Sequence, residues 1–299
     1  MCRLAAYLGA PLYLEELIAK PRHSLMRQSL RAEEAKVATN ADGFGVGWYG
    51  EREEPGVYRD ATPAWADDNL LALSQNLRSG LFFAHVRAAT AGANSRQNCH
   101  PFRHGRYLFM HNGQIGGYGQ LRRTLESALP DHLYAARQGA TDSELLFLLA
   151  MARVDTGMPL GEAMLTVLDA TVLLMRERGI RAPLRFAAVL ADGERLMAFR
   201  MSTDCKPPTL YLRHCCSGTI IASEPLGDEL DNLEGREGDC QWRLLPAGAT
   251  VVVDSAGSHF GQHRLAAAET AETAASAQAV ESAEAAESAE TEMTDGATR

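Results

Sequence analysis

The sequence has no long apolar run, no excess of positive charge and few cysteines, and each absence excludes a class of protein. The run 145–152 is far too short to cross a bilayer, and the start of the chain lacks the extended apolar core of a secretion signal. The formal net charge is −9 and no basic patch offsets it, which argues against nucleic acid as a partner. We therefore expect neither a membrane span nor a nucleic-acid interface.

Six cysteines in 299 residues are too few and too scattered for a disulfide framework. The adjacent Cys215 and Cys216 would form a strained bridge, and with His214 they are interpreted as strand residues rather than a redox pair. The thiols are therefore expected to be reduced and the location cytoplasmic.

The composition changes after about residue 263. Segment 265–299 is rich in Ala and Glu, has no aromatic residue and carries −7 of the net charge. Such a segment cannot bury enough apolar surface to offset its ordering entropy. The pattern predicts one domain over 2–263 and a disordered acidic tail over 264–299, either inert or a docking segment.

Residues 2–263 alternate between β-type and helical patterns. A capping sequence at 141–144 opens an almost wholly apolar helix, and a second helix follows over 165–175. Groups of short β-type runs lie on either side of these helices. This order is typical of an α+β fold with antiparallel sheet rather than a doubly wound fold.

Cys2 is the strongest candidate for a catalytic residue. Once the initiator Met is removed, Cys2 carries a thiol and a free α-amine, and such an amine titrates near ~7.7–8.0. A thiol with its own base is a nucleophile that needs no partner histidine. The alternative is a cysteine placed by chance at the start of an edge strand.

Three polar clusters fit around such a nucleophile. Arg87 follows a β-type run and suits a substrate carboxylate, although a surface ion pair is the alternative. Asn112 and Gly113 suit an oxyanion hole, against the alternative of a hairpin turn. Asp142 suits a substrate ammonium, against a role limited to the helix dipole. Arg87 and Asp142 together match the two ends of an α-amino acid, as in a glutamyl group.

Phosphate and metal sites are not favoured. The glycines at 43–47 lack the spacing and the lysine of a phosphate loop, and instead give a strand a bare face that another backbone can approach. Cys99, His100, His104 and His111 lack the paired spacing of a zinc site. His100 is interpreted as a loop histidine with satisfied hydrogen bonds, and no metal or other cofactor is expected.

Six motifs occur in a characteristic order and spacing: MCR at the start, NADGFGVGWY at 40–49, HVRAATAG at 85–92, NCHPF at 98–102, FMHNG at 109–113 and TDSE at 141–144. Over about residues 2–230 the chain thereby resembles a class II glutamine amidotransferase domain of the N-terminal nucleophile hydrolase type. It most resembles the stand-alone members, which include a glutathione-degrading amidotransferase subunit and the ergothioneine-pathway γ-glutamyl hydrolase.

The resemblance implies a four-layer αββα sandwich of two antiparallel sheets and assigns roles to individual residues. By it, Cys2 is the nucleophile, Asn112 and Gly113 form the oxyanion hole, and the substrate is held by Arg87, Thr90 and Asp142. One departure is Ala88, where related synthases often have an aromatic residue directly after the arginine. A smaller residue there leaves room for a group larger than a primary amide.

Only about 60 residues separate Met201 from the tail, which is too few for a second enzyme domain that would use ammonia. We therefore predict an amidohydrolase that cleaves glutamine, glutathione or a γ-glutamyl thiol conjugate. The alternatives are a glutaminase subunit that supplies ammonia to a separate synthase and a non-catalytic γ-glutamyl-binding regulatory subunit. A synthase or a metallopeptidase subunit is the partner to consider.

Overall fold

The computed structural model describes residues 2–34, 39–88, 94–227 and 241–266. Within these ranges the chain forms two antiparallel sheets and seven α-helices. The first sheet contains β1 (Arg3–Tyr13), β2 (Phe44–Trp48), β3 (Gly56–Asp60), β4 (Arg78–Val86), β9 (Tyr211–Cys215), β10 (Gly218–Ala222) and β11 (Arg243–Leu244). The second contains β5 (Phe102–His104), β6 (Tyr107–Gln114), β7 (Arg185–Ala191), β8 (Leu196–Ser202), β12 (Ala249–Asp254) and β13 (Gly257–Gln262). The helices are α1 (Glu15–Ile18), α2 (Leu25–Leu30), α3 (Asp68–Asn76), α4 (Tyr118–Glu126), α5 (Asp131–Ala136), α6 (Asp142–Val154) and α7 (Leu160–Glu177).

The strand that follows Cys2 lies in the middle of its sheet. The first sheet has the order β11-β9-β10-β1-β4-β2-β3, and the second has the order β13-β12-β8-β7-β6-β5. Strand β1 pairs with β4 on one side, where Arg3 lies opposite Val86, and with β10 on the other, where Ala5 lies opposite Ala222. The alternative interpretation, in which Cys2 opens an edge strand, is therefore wrong.

Three apolar cores define four layers. Leu4 and Phe83 of the first sheet pack with Met110 and Val189 of the second, so one core lies between the sheets. A second core joins the outer face of the first sheet to α1, α2 and α3. A third joins the outer face of the second sheet to α4–α7. This arrangement confirms the predicted αββα sandwich.

The glycines of β2 allow a close approach of the second sheet's loops. A Cβ atom on Gly45 would collide with the carbonyl of His100, and one on Gly47 would lie 2.8 Å from Pro101 and 2.9 Å from Leu108. The bare strand face predicted from the glycine spacing is confirmed.

The structure excludes one local alternative and confirms one local prediction only in part. Asn112 and Gly113 do not form a hairpin turn, because β6 continues through them in register with Ala187 and Phe186 of β7. The capping box of α6 is half formed: the Thr141 hydroxyl accepts from the Glu144 N–H at 3.2 Å, but the Glu144 carboxylate accepts from other backbone groups.

Ordered contacts continue just past the predicted domain limit. His263 hydrogen bonds to Asp169 at 2.9 Å, and Leu265 is 2% exposed in the core beside α7. The predicted disordered tail falls, from residue 267 onwards, outside the described residues. The tail and its limit stay a prediction.

Candidate active site

Cys2 lies immediately before β1 and faces the second sheet. Leu4 and Ala6 belong to the core between the sheets, and side chains alternate along a strand, so Cys2 projects to the same side. The thiol is half-buried and donates to the carbonyl of Ala88 at 3.6 Å. Burial raises the pKa of the Cys2 thiol, and the charges of Arg87 and Arg3 oppose that effect. The pKa of the thiol nevertheless stays above its ordinary value, so a base must take the thiol proton before the sulfur can attack.

Arg87 follows the last residue of β4 and is 4% exposed. Its backbone is fixed by two hydrogen bonds, from its N–H to the Gly43 carbonyl at 2.8 Å and from the Asp42 N–H to its own carbonyl at 3.1 Å. The guanidinium Nη1 contacts the Asp42 carbonyl at 3.3 Å and the Asn94 side-chain oxygen at 3.4 Å. The side chain is therefore held by neutral acceptors, which leave its positive charge available to a ligand.

Asn112 and Gly113 lie in β6 of the second sheet. Asn112 has the same strand parity as Leu108 and Met110, which face the first sheet. It is 1% exposed, and among the described residues neither its side-chain oxygen nor its nitrogen has a hydrogen-bond partner. Gly113 is required by space, because a Cβ atom there would collide with the carbonyl of Arg185. An unpaired amide donor in a dry interior suits a developing oxyanion.

Asp142 is the first residue of α6 and connects that helix to the end of β6. Its Oδ2 accepts from the Ile115 N–H at 2.8 Å, and its Oδ1 accepts from the Ser143 N–H at 2.8 Å. Both bonds come from neutral backbone groups, and they fix the carboxylate beside the end of β6. Thr90 lies outside the described residues.

Three buried histidines surround this space, and the sequence analysis gave none of them a role. The rings of His85 and His100 lie 4.2 Å apart, and within the described ranges none of their four nitrogens has a hydrogen-bond partner. The expectation that His100 has satisfied hydrogen bonds is therefore wrong. Burial lowers the pKa of His85 to about 3 and lowers that of His100 well below its usual value, so both rings are neutral near pH 7. His111 contacts Ser143 at 2.9 Å.

A buried ion-pair network fixes the residue after the nucleophile. Arg3 is fully buried and its Nη1 lies 2.9 Å from Glu224. The Glu224 carboxylate also contacts His23 at 2.9 Å and accepts from the backbone N–H groups of Glu33 and Glu34. Burial acts to raise the pKa of Glu224, but the hydrogen bond to His23 and the charge of Arg3 hold it below its usual value. These residues are up to 221 positions apart, and local patterns in the sequence do not connect them.

The family model for class II glutamine amidotransferases matches residues 18–215. The chain belongs to this family. "Probable glutamine amidotransferase DUG3" of Saccharomyces cerevisiae is 30% identical over 251 residues, covering 75% of this chain and 70% of the yeast protein. "Gamma-glutamyl-hercynylcysteine sulfoxide hydrolase" of Mycolicibacterium smegmatis is 31% identical over 231 residues, covering 77% of this chain and 89% of that protein.

A solved class II amidotransferase domain from Silicibacter pomeroyi has the same fold. It superposes with a TM-score of 0.68 at 34% identity, over 88% of this chain and all of that one. The family and the four-layer fold agree with the resemblance carried by the six sequence motifs. Across the described ranges, no helix is both long and apolar enough to cross a membrane.

Proposed function

We propose that this family member is a cysteine-dependent amidohydrolase that cleaves the γ-glutamyl amide bond. The observation that carries the proposal is the unpaired, buried amide of Asn112. It lies on the face of the second sheet that looks toward the sheet of β1, which Cys2 precedes. Arg87 and Asp142 supply one positive and one negative group for the two charged ends of the glutamyl moiety. A non-catalytic binding subunit would need neither the thiol nor the oxyanion donor.

In the proposed reaction the Cys2 sulfur attacks the γ-carbonyl carbon and forms a C–S bond. The carbonyl oxygen becomes an oxyanion that accepts from the Asn112 amide and the Gly113 N–H. The C–N bond then breaks, the amine leaves with the proton taken from the thiol, and water hydrolyses the γ-glutamyl thioester to glutamate and free Cys2.

The α-amine of Cys2 is the proposed proton carrier. An imidazole with a pKa of about 3, as at His85, is too weak a base to serve near pH 7. The proposal requires that Met1 be removed, and intact-mass spectrometry tests this step. A fully active preparation that retains Met1 would rule out the α-amine as base.

The proposed substrates are γ-glutamyl conjugates with a thiol-bearing or peptide leaving group, cleaved in the cytoplasm. The names of the Mycolicibacterium and yeast relatives support a γ-glutamyl or glutamine substrate. The small, buried Ala88 beside Arg87 supports a leaving group larger than ammonia. Glutamine hydrolysis that feeds ammonia to a separate synthase is the second candidate, which the yeast relative's name favours.

The deciding experiment compares kcat/KM for glutamine, glutathione and the γ-glutamyl conjugate of a histidine-betaine thiol. Cys2→Ala protein is the blank, and each assay is repeated with a candidate synthase or metallopeptidase present. Faster cleavage of a conjugate than of glutamine supports the hydrolase. Hydrolysis of glutamine alone, stimulated by a synthase, would show that the chain is an ammonia donor.

A further inference from the structure

A second polar space lies beside the edge strand β3, away from the proposed nucleophile. It has a volume of about 600 Å³ and is enclosed by β3, the start of β5, the turn at Arg96–Asn98 and helices α5 and α6. We call it the edge cavity. None of Cys2, Arg87, Asn112, Gly113 and Asp142 lines it. The proposed γ-glutamyl site therefore does not account for this space.

Three arginines, Arg59, Arg96 and Arg103, line the edge cavity. Arg59 is half-buried, and its Nη1 donates to the carbonyl of Cys99 at 3.2 Å. In the described ranges its Nε and Nη2 have no protein acceptor. Burial lowers the pKa of Arg59, Cys99 and Glu144 oppose this effect, and the charges of Arg103 and Arg96 add to it. A bound anion would offset both the burial of this cation and its repulsion by the other two arginines.

The carboxylates in the same wall are already engaged. Asp60 pairs with Arg96 at 2.6 Å. Asp67 accepts from the Tyr58 hydroxyl at 2.9 Å and also caps the first turn of α3. Glu144 accepts from two backbone N–H groups at 2.9 and 2.7 Å. The donors that remain in excess belong to Arg59 and Arg103.

We propose that the edge cavity is a second ligand site, which binds a compact anion through Arg59 and Arg103. A guanidinium presents paired N–H donors that match either a carboxylate or a phosphate. Arg103 suits this role because its Nη1 is held by the Pro55 carbonyl at 3.1 Å and its nearest carboxylate, Glu54, is 3.8 Å away.

The test is isothermal titration of the full chain with two probes, inorganic phosphate and malonate, at constant ionic strength. We expect at least one probe to bind, and the tighter of the two identifies the anion class. Arg59→Gln should weaken that binding about tenfold or more, as expected for the loss of a charged hydrogen bond. Arg103→Gln should act likewise, and since its side chain is 46% exposed the fold will tolerate it.

Two controls separate this site from others. Any probe bound at the γ-glutamyl site should be lost in Arg87→Gln, and the binding that remains in this variant reports the edge cavity, because Arg87 does not line it. Arg195→Gln, which removes a surface arginine paired with Asp192, should have no effect. Absence of binding by both probes would overturn the proposal. Binding that Arg87→Gln abolishes, or that survives both Arg59→Gln and Arg103→Gln, would also overturn it.

Discussion

The side-chain amide of Asn112 is buried between the sheets, and neither of its polar atoms has a partner among the described residues. A buried polar group without a partner costs about 1–3 kcal/mol. The folded chain carries this cost on the face of the second sheet that looks toward the first sheet, to which β1 belongs. A hydrogen bond from the Asn112 amide to the substrate oxyanion would recover this free energy. The unpaired amide that destabilises the empty site would therefore stabilise the transition state.

Replacement of Asn112 tests whether its amide stabilises the transition state. Asn112→Ala should lower kcat by about 10²–10³, while Tm changes little because no hydrogen bond is lost. Steady-state kinetics and a melting curve check both parts. Asn76→Ala, at an exposed position in α3, is the control and should retain wild-type kinetics. Wild-type turnover from folded Asn112→Ala would remove Asn112 from the oxyanion hole.

The charge of Asp142 is expected to act on binding rather than on turnover. In Asp142→Asn the amide oxygen can still accept from the Ile115 N–H, so the helix connection is kept while the negative charge is lost. KM should rise roughly 10–100-fold, the value of one charged hydrogen bond, with a smaller change in kcat. Asp131→Asn, at the matching first position of α5, should leave both constants unchanged. A fall in kcat at constant KM would contradict this assignment.

Individual elements were predicted well wherever the signal was local. The α6 cap, the bare face of β2 and the apolar periodicity of α7 each depend on residues a few positions apart, and each is present in the fold. Asn112-Gly113 is the counter-example, since a strong turn signal was overridden by pairing with β7, more than 70 residues away. The pairing of β1 with β10 and the Arg3–Glu224 contact have no local signal, so only the structure reveals them.

The close approach at β2 should make its glycines intolerant of a methyl group. Gly45→Ala drives a Cβ atom into the carbonyl of His100, so we expect a loss of about 1–3 kcal/mol, or several degrees in Tm. Gly119→Ala is the matched control, because that position in α4 is open and alanine favours a helix. Its Tm should be unchanged or slightly higher. Equal melting of the two variants would show that β2 is less tightly packed than described.

The network at the start of β1 predicts a pH-dependent contribution to stability. The hydrogen bond to Glu224 raises the pKa of His23 above its usual value, although burial opposes this. The contribution is therefore complete below the unfolded pKa of about 6.5 and is lost as the pH rises through the folded pKa. Denaturant unfolding of wild type and His23→Gln should differ more at pH 6 than at pH 9. The exposed His259→Gln should show little effect at either pH.

At the scale of the whole molecule, the residues packed in the three cores extend just past the C-terminal end of β13. Leu265 is buried beside α7, and the Ala266 N–H donates to Asp169 at 3.1 Å. The composition of 267–299 offers nothing comparable, since Val280 and Met293 are its only sizeable apolar side chains.

Two truncations locate the end of the domain. A chain that ends after Ala266 should keep the wild-type Tm and turnover. A chain that ends after Arg264 loses the buried Leu265, worth about 1.5–3 kcal/mol, and should melt several degrees lower. Calorimetry of the two shortened proteins checks this. A fall in Tm for the longer one would show that the acidic segment docks on the body.

The central position of β1 also determines when, during synthesis, this strand can pair with both of its neighbours. One neighbour, β4, is complete at Val86, but the other, β10, ends at Ala222. Strand β1 therefore cannot complete its pairing with β10 until Ala222 has left the ribosome. At about 5–20 residues per second this leaves a delay of roughly ten seconds. We expect the Met1–Cys2 bond to be accessible to an aminopeptidase during that interval. The topology that later half-buries the thiol thus leaves time for the removal of Met1, which exposes the α-amine of Cys2.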